Sequence, residues 1–303
     1  METTLTANCP PRLSAKEIEA RLKKCARLPS LGTINSALRE LLASDQTYIA
    51  QISEVIRRDP SLTSRLLRLV NSVFFGLSTP VNSIEEAVFY LGVRQIRQLA
   101  MLTPVIEDFQ KLAGKTEFPW KQFWQHCIGT AIMTREVLST MRVPSDEADY
   151  VSGLVHDVGR IAMAATFPEH FEAIVNRTDE SSRSIREIEM EVLGIDHANL
   201  GADYLREHNL PEALEETARF HHNPERASRN IPIVAAVSLA DRMVRLAGVG
   251  DDGEKPANES EEWWDSTPWH ILFPNQSEEE FAMTKASLER NLNRLPTIVE
   301  GLI

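Results

Sequence analysis

Residues 151–162 read VSGLVHDVGRIA. Wound at about 100° per residue, Val151, Leu154, Val155, Val158, Ile161 and Ala162 form one apolar stripe. Gly153, His156, Asp157 and Arg160, spaced i, i+3, i+4, i+7, share the other side. The pattern predicts one amphipathic helix over about 146–164. Glycine inside a helix costs roughly 0.5–1 kcal/mol relative to alanine, so Gly153 beside the His–Asp pair points to a close approach by something else. Two readings stay open for this face. It is either part of a metal site or a solvated surface with an Asp157–Arg160 ion pair at i, i+3.

The same periodicity extends outward from this stretch. A helix is predicted from Pro119 to about Met141, with Trp120, Trp124, Ile128, Ala131 and Leu138 on its apolar side and Gln122, His126 and Gly129 opposite. Further helices are expected over 61–71, where Leu62, Leu66, Leu69 and Val70 align, over 83–92, which opens on the capping-box pattern Ser83…Glu86 and ends at Gly92, and over 93–106. Shorter helices start near 184, 197 and 211, a longer one spans 231–247, and a last one spans about 278–302. Few segments alternate as strands do, so the fold class is all-α.

The chain divides by composition into an N-terminal tail (1–17), an N-terminal helical lobe (18–115), a second helical lobe (116–247), an acidic linker or loop, GVGDDGEKPANESEE (248–262), and a Trp-rich segment with its helix (263–303). Trp263, Trp264 and Trp269 are too apolar for a free tail. They either dock on the body or bind a partner.

With 303 residues, 43% hydrophobic and 25% charged, the chain has the make-up of a globular protein with a sizeable core. Its net charge of −12 argues against binding nucleic acid by neutralising phosphates and against anionic membrane surfaces. A helix-turn-helix outline around Leu91–Gly92, with Arg94 and Arg97 after it, therefore reads as two packed helices, and no DNA partner is expected. No stretch of about 18 apolar residues suggests a membrane span. The first residues lack the order of a secretory signal, and Cys9, Cys25 and Cys127 have no CxxC spacing. The cytoplasm is the expected compartment.

Other polar residues join the His–Asp pair. His197 starts a short helix with Gly201 one turn on, His221 and His222 are adjacent, and Asp241 lies on the stripe of Val234, Val237 and Val244. A carboxylate on an apolar stripe is costly unless a metal, a hydrogen bond or a nearby arginine compensates it. Five histidines and two aspartates from five segments are the donor types of a transition-metal site, and nitrogen and oxygen donors together suit iron, manganese, nickel or zinc. His170, His208 and His270 have no evident partners and read as surface residues.

The order H…HD…H…HH…D resembles the HD superfamily of metal-dependent phosphohydrolases. The run from RDP (58–60) through NS (71–72) and FFG (74–76) to Leu91–Gly92 resembles the HDOD family, and the likeness extends over about 18–245. It implies an HD-like multi-helix bundle and a regulatory role in bacterial signalling, with a protein partner and a nucleotide or cyclic dinucleotide as ligand. By resemblance, His126, His156, Asp157 and Asp241 match the core HD ligands. His197, His221 and His222 match the histidines that complete a second metal in HD-GYP enzymes, with Asp157 as the bridge and iron as the favoured metal. Arg160 stands where HD-GYP enzymes place a phosphate-contacting lysine, and Gln122 where some place a further glutamate ligand, so both are ligand-binding candidates. HHNPE replaces the HHE…GYP loop, which argues against cyclic di-GMP hydrolysis. Three readings follow: a metal-binding regulatory module without efficient turnover, a phosphohydrolase using Asp157 and Arg160, or a metal-free remnant.

Overall fold

The structure, a computed structural model, describes residues 10–25, 79–89, 116–141, 147–180, 182–251 and 262–302, together with Thr63, Leu67, Asn71 and Gly253. Every regular element among them is helical. In chain order these are α1 (Ala15–Leu22), α2 (Trp120–Thr140), α3 (Glu147–Val155), α4 (Val158–Thr166), α5 (Pro168–Glu180), α6 (Ile185–Val192), α7 (His197–Glu207), α8 (Glu212–Phe220), α9 (Ile231–Leu246), α10 (Thr267–Leu272) and α11 (Glu278–Leu302), with 3-10 turns at Pro224–Arg226 and Trp263–Asp265. The helices expected over 61–71 and 93–106, the end of the one at 83–92, and most of the acidic segment lie outside the described residues. None of the described helices is long and apolar enough to cross a membrane.

The chain divides into two compact units, one of Met1–Ala26 with Leu112–Asn293 and the other of Arg27–Lys111 with Arg294–Ile303. In the first, α2 and α9 pack on each other and are buried on nearly every side. A helix enclosed all round is interior to a bundle, and its polar residues then need partners. The two-faced reading of α2 therefore gives way. His126, Gly129 and Thr130 are as buried as Trp124 and Ile128. The buried Arg135–Asp149 ion pair, 2.6 Å, ties α2 to α3. The close approach signalled by Gly153 is that of α2, because a Cβ there would lie 2.7 Å from the Ala131 Cα.

The helix expected across 146–164 is broken at the His–Asp pair. Asp157 sits at φ −98°, ψ 18°, in the sparsely allowed region where functional residues are often found. The His156 Nδ1 donates to the Gly153 carbonyl, 2.7 Å, the acceptor that an unbroken helix would offer to the amide of residue 157. The interruption turns both side chains inward, and His156, Asp157 and Arg160 are buried. The solvated-face reading fails on that burial.

Some expectations at the periphery are corrected. His170 is buried, not a surface residue, because its Nε2 meets the Pro11 carbonyl at 3.0 Å where the N-terminal segment crosses α5. His208 is half-buried with its ring against Tyr204, whereas His270 is exposed. Trp263 and Trp269 are buried, Trp264 is half-buried, and α10 packs on α9, so the Trp-rich segment docks on the body.

Buried Glu216 on α8 gathers the backbone amides of Ser228 (2.6 Å), Arg229 (3.0 Å) and Asn230 (2.8 Å), just before α9 begins. Burial opposes its ionisation, but these bonds win and hold its carboxyl at about 2. The folded form thus binds its proton at lower pH than the unfolded chain does. Its contribution is complete above about pH 4.5 and is lost as pH falls towards 2. Glu216→Gln is expected to lose about 2 kcal/mol at neutral pH and to show a shallower fall in stability between pH 4.5 and 2 than the parent, read by urea unfolding across that range.

In the second unit, residues 84–89 are helical, and the Ser83 hydroxyl accepts from the Glu86 amide, 3.2 Å, as the capping pattern anticipates. Val81, Ile84, Ala87, Val88, Leu295 and Val299 are buried, and Asn71 bonds both the amide and the carbonyl of Val81.

Candidate metal centre

Five elements of the first unit converge on one buried cluster. His126 comes from the second turn of α2, His156 and Asp157 from the break before α4, His197 from the first residue of α7, His221 and His222 from the end of α8, and Asp241 from mid-α9. The donors form two groups, Asp157 with His197, His221 and His222, and His126 with His156 and Asp241; within each, all donor atoms lie within 4.8 Å of one another. Asp157 faces both. Its Oδ2 is 3.6 Å from the His156 Nε2, and its Oδ1 is 3.3 Å from the His197 Nε2 and 3.4 Å from the His221 Nε2. All of these residues are buried except His222, which is half-buried.

The polarity of the contacts distinguishes this cluster from an ordinary hydrogen-bonded core. Burial holds His156 down at about 4 against the opposing pull of Asp157 and Asp241, so its ring is neutral. A carbonyl only accepts, so its proton is on Nδ1 and the Nε2 lone pair points inward. That lone pair faces carboxylate oxygens of Asp157 at 3.6 Å and Asp241 at 3.8 Å, acceptor against acceptor. The His156 Nε2, His221 Nε2 and Asp157 Oδ1 atoms are buried with no hydrogen-bond partner among the described residues. A cation between them removes the conflict. Atoms bound to one ion at about 2.1 Å lie roughly 3.0–3.4 Å apart, the spacing of His126–Asp241 (3.0 Å), His197–Asp157 (3.3 Å) and His221–Asp157 (3.4 Å). The residues present therefore fit divalent metal.

The outer bonds orient the rings as metal ligation requires. His221 Nδ1 donates to the Ala218 carbonyl, 2.8 Å. His197 Nδ1 and its backbone amide both donate to Glu189 Oε2, each at 2.8 Å, with Glu189 1% exposed. Burial depresses His197, but Glu189 and Asp157 outweigh it and raise it to about 9. Glu189 escaped the sequence reading, yet its signal was present. It shares the buried stripe of α6 with Ile185, Ile188 and Val192, the same pattern that marked Asp241. Glu189→Gln is expected to leave helicity unchanged and weaken metal binding about 10–100-fold, measured by competition with a chromophoric chelator.

Asp241 satisfies both of its readings. Its Oδ1 faces His126 at 3.0 Å, and Arg245 one turn on donates to both carboxylate oxygens, 2.8 and 2.9 Å. Arg160 does not form the expected pair with Asp157. Its guanidinium lies over the Phe118 ring, 5.4 Å from the centroid, and the residue is 1% exposed with Nε and Nη1 lacking hydrogen-bond partners among the described residues. A Cβ at Gly253 would be 3.0 Å from its Nη2. Gln122 has an exposed side chain one turn before His126, outside the buried ligand cluster, and its backbone carbonyl accepts from the Asp251 amide, 3.1 Å.

Comparison with known proteins bears on the family and the fold. The model of the HDOD domain matches residues 28–224. An uncharacterized protein of Treponema pallidum (strain Nichols) is 26% identical over 288 residues, 90% of this chain and 53% of that protein, so the chain spans about half the length of this curated relative. The fold matches an HDOD domain protein with unknown function from Geobacter sulfurreducens (TM-score 0.72, 22% identity, 97% of this chain and 94% of that one). It also matches a "Putative phosphohydrolase" from Shewanella amazonensis SB2B (TM-score 0.68, 21% identity, 94% and 98%). At such identities these likenesses concern the fold alone.

Proposed function

The chain belongs to the HDOD domain family, and from that premise we propose that it is a regulatory module of bacterial signalling whose buried centre binds two divalent transition-metal ions that share Asp157. Iron is the favoured metal, with manganese, nickel and zinc as alternatives. The observation that carries the reading is the His156 Nε2 lone pair set against carboxylate oxygens of Asp157 and Asp241, with His197 and His221 on the other side of Asp157 at 3.3 and 3.4 Å, an arrangement that two cations would stabilise. His126, His156 and Asp241 would hold one ion, and His197, His221 and His222 the other. Arg160 is a buried guanidinium with open donors, a seat for the phosphate of a nucleotide or cyclic dinucleotide. The enclosure of nearly every ligand favours binding over rapid turnover.

Arg160 also supports a second reading, a metal-dependent phosphohydrolase. Two bound metals would supply Lewis acidity and a hydroxide near neutral pH. Arg160 would neutralise phosphate oxygens, and Asp157 would keep the two ions at a fixed separation.

Metal analysis of the natively purified chain, followed by incubation with nucleotides and cyclic dinucleotides, tests both. The regulatory reading expects about two metals per chain, saturable nucleotide binding that is lost in Arg160→Ala, and negligible hydrolysis. Sustained hydrolysis abolished by the same substitution would establish the enzyme instead. Absence of metal would sink both.

A further inference from the structure

Beyond the metal centre, the Trp-rich segment forms a groove of about 530 Å³. Its walls are the aromatic rings of Trp264, Trp269, Phe273 and Phe281, with Trp269 at 4.6 Å from Phe273 and 5.5 Å from Phe281 between centroids. Among the described residues that line it, Glu262, Asp265 and Glu278 at the rim are acidic, none is lysine or arginine, and His270 lies 3.3 Å from Asp265. Within it, Gln276 uses its amide nitrogen on the Thr284 hydroxyl, 3.0 Å. The Gln276 Oε1 is buried with no hydrogen-bond partner among the described residues. The groove therefore offers π-faces, carboxylates and one orphaned carbonyl oxygen, all of which seek a cation that carries N–H donors.

The protein already uses one of these faces in that way. Lys285 lies over the Trp264 ring with its Nζ 3.4 Å from the centroid. A guanidinium suits the rest better than an ammonium. It is flat enough to stack on indole and phenyl rings, and its donors diverge to reach a carbonyl and carboxylates together.

We propose that this groove is a docking site for an arginine-bearing segment of a protein partner, with the guanidinium stacked against the aromatic wall and donating to Gln276 Oε1 and the acidic rim. The choice of a protein partner rests on the regulatory reading above; the groove itself does not depend on the metals. Charge complementarity extends beyond the groove, since the whole chain carries −12.

The test uses the full chain and three capped peptides, Ala-Arg-Ala-Leu-Arg, its lysine counterpart and its glutamate counterpart, followed by the indole resonances of the 15N-labelled protein. The arginine peptide is expected to give saturable shifts at the Trp264 indole, with the lysine peptide several-fold weaker and the glutamate peptide silent. Gln276→Leu keeps the shape and removes the acceptor, and should weaken the arginine peptide about tenfold, or about 1.4 kcal/mol. Trp264→Ala, followed at the Trp269 indole that also lines the groove, should abolish saturation while circular dichroism and metal content stay at the parent values. Equal binding of the glutamate peptide, or arginine-peptide binding untouched by both substitutions, would overturn the proposal. Metal content of the same samples reports separately on the regulatory reading.

Discussion

Asp157→Ala, purified in parallel with the parent chain, should emerge with less than about a tenth of its metal. Asp157 is the one candidate ligand whose two oxygens face both donor groups, with His156 on one side and His197 and His221 on the other. In the two-ion reading, removing it would take a donor from each ion and the negative charge that would make two adjacent cations tolerable. The second readout is stability. A ligand that binds only the native state stabilises it by RT ln(1 + [L]/Kd), about 4 kcal/mol at a thousandfold excess over Kd. A chelator should therefore lower the parent's Tm by several degrees and leave that of the variant unchanged. The metal-free alternative makes the opposite prediction. Burial of Asp157 would then be supported only by the histidines around it, the chelator would move neither protein, and the substitution would act on folding alone.

Gly159→Val should abolish folding, and Gly159→Ala should cost about 3 kcal/mol or more. A Cβ at Gly159 would sit 1.8 Å from the His197 carbonyl oxygen and 2.7 Å from the Gly201 amide nitrogen. Both neighbours are backbone, so no side chain can swing aside. This contact is where α4 crosses α7, two residues after Asp157 and at the residue that begins α7. Spreading the helices moves His197 from Asp157 along with the backbone. The alanine variant, if it folds, should therefore lose metal affinity as well as stability, read by thermal unfolding and metal analysis of one preparation. A stable Gly159→Ala chain with full metal content would show that this crossing does not set the centre.

The sequence by itself determined the helical class and most helix starts in the first unit. Turn chemistry and an apolar recurrence every three to four residues are local properties, written within a few positions of where they act. The ends of α2, α9 and α11 follow from them. The candidate ligands were named by residue type and by an order that resembles one family, since spacing alone is weak when separate helices must bring the donors together.

Only the tertiary structure decided the rest. The one-helix reading of 146–164 failed because the break at His156–Asp157 is imposed by a ring bonded to the Gly153 carbonyl and by packing on both sides of the turn, neither of which periodicity encodes. On α2, the side of His126 and Gly129 read as the face away from the core until α9 covered it. Glu189, Glu216 and the groove at Trp264 remained unread because their meaning lies in partners far along the chain, eight residues on for His197 and twelve to fourteen for the amides before α9. Spacing names the donors. The separation of their atoms, which decides whether they can share an ion, exists only after five segments have packed together.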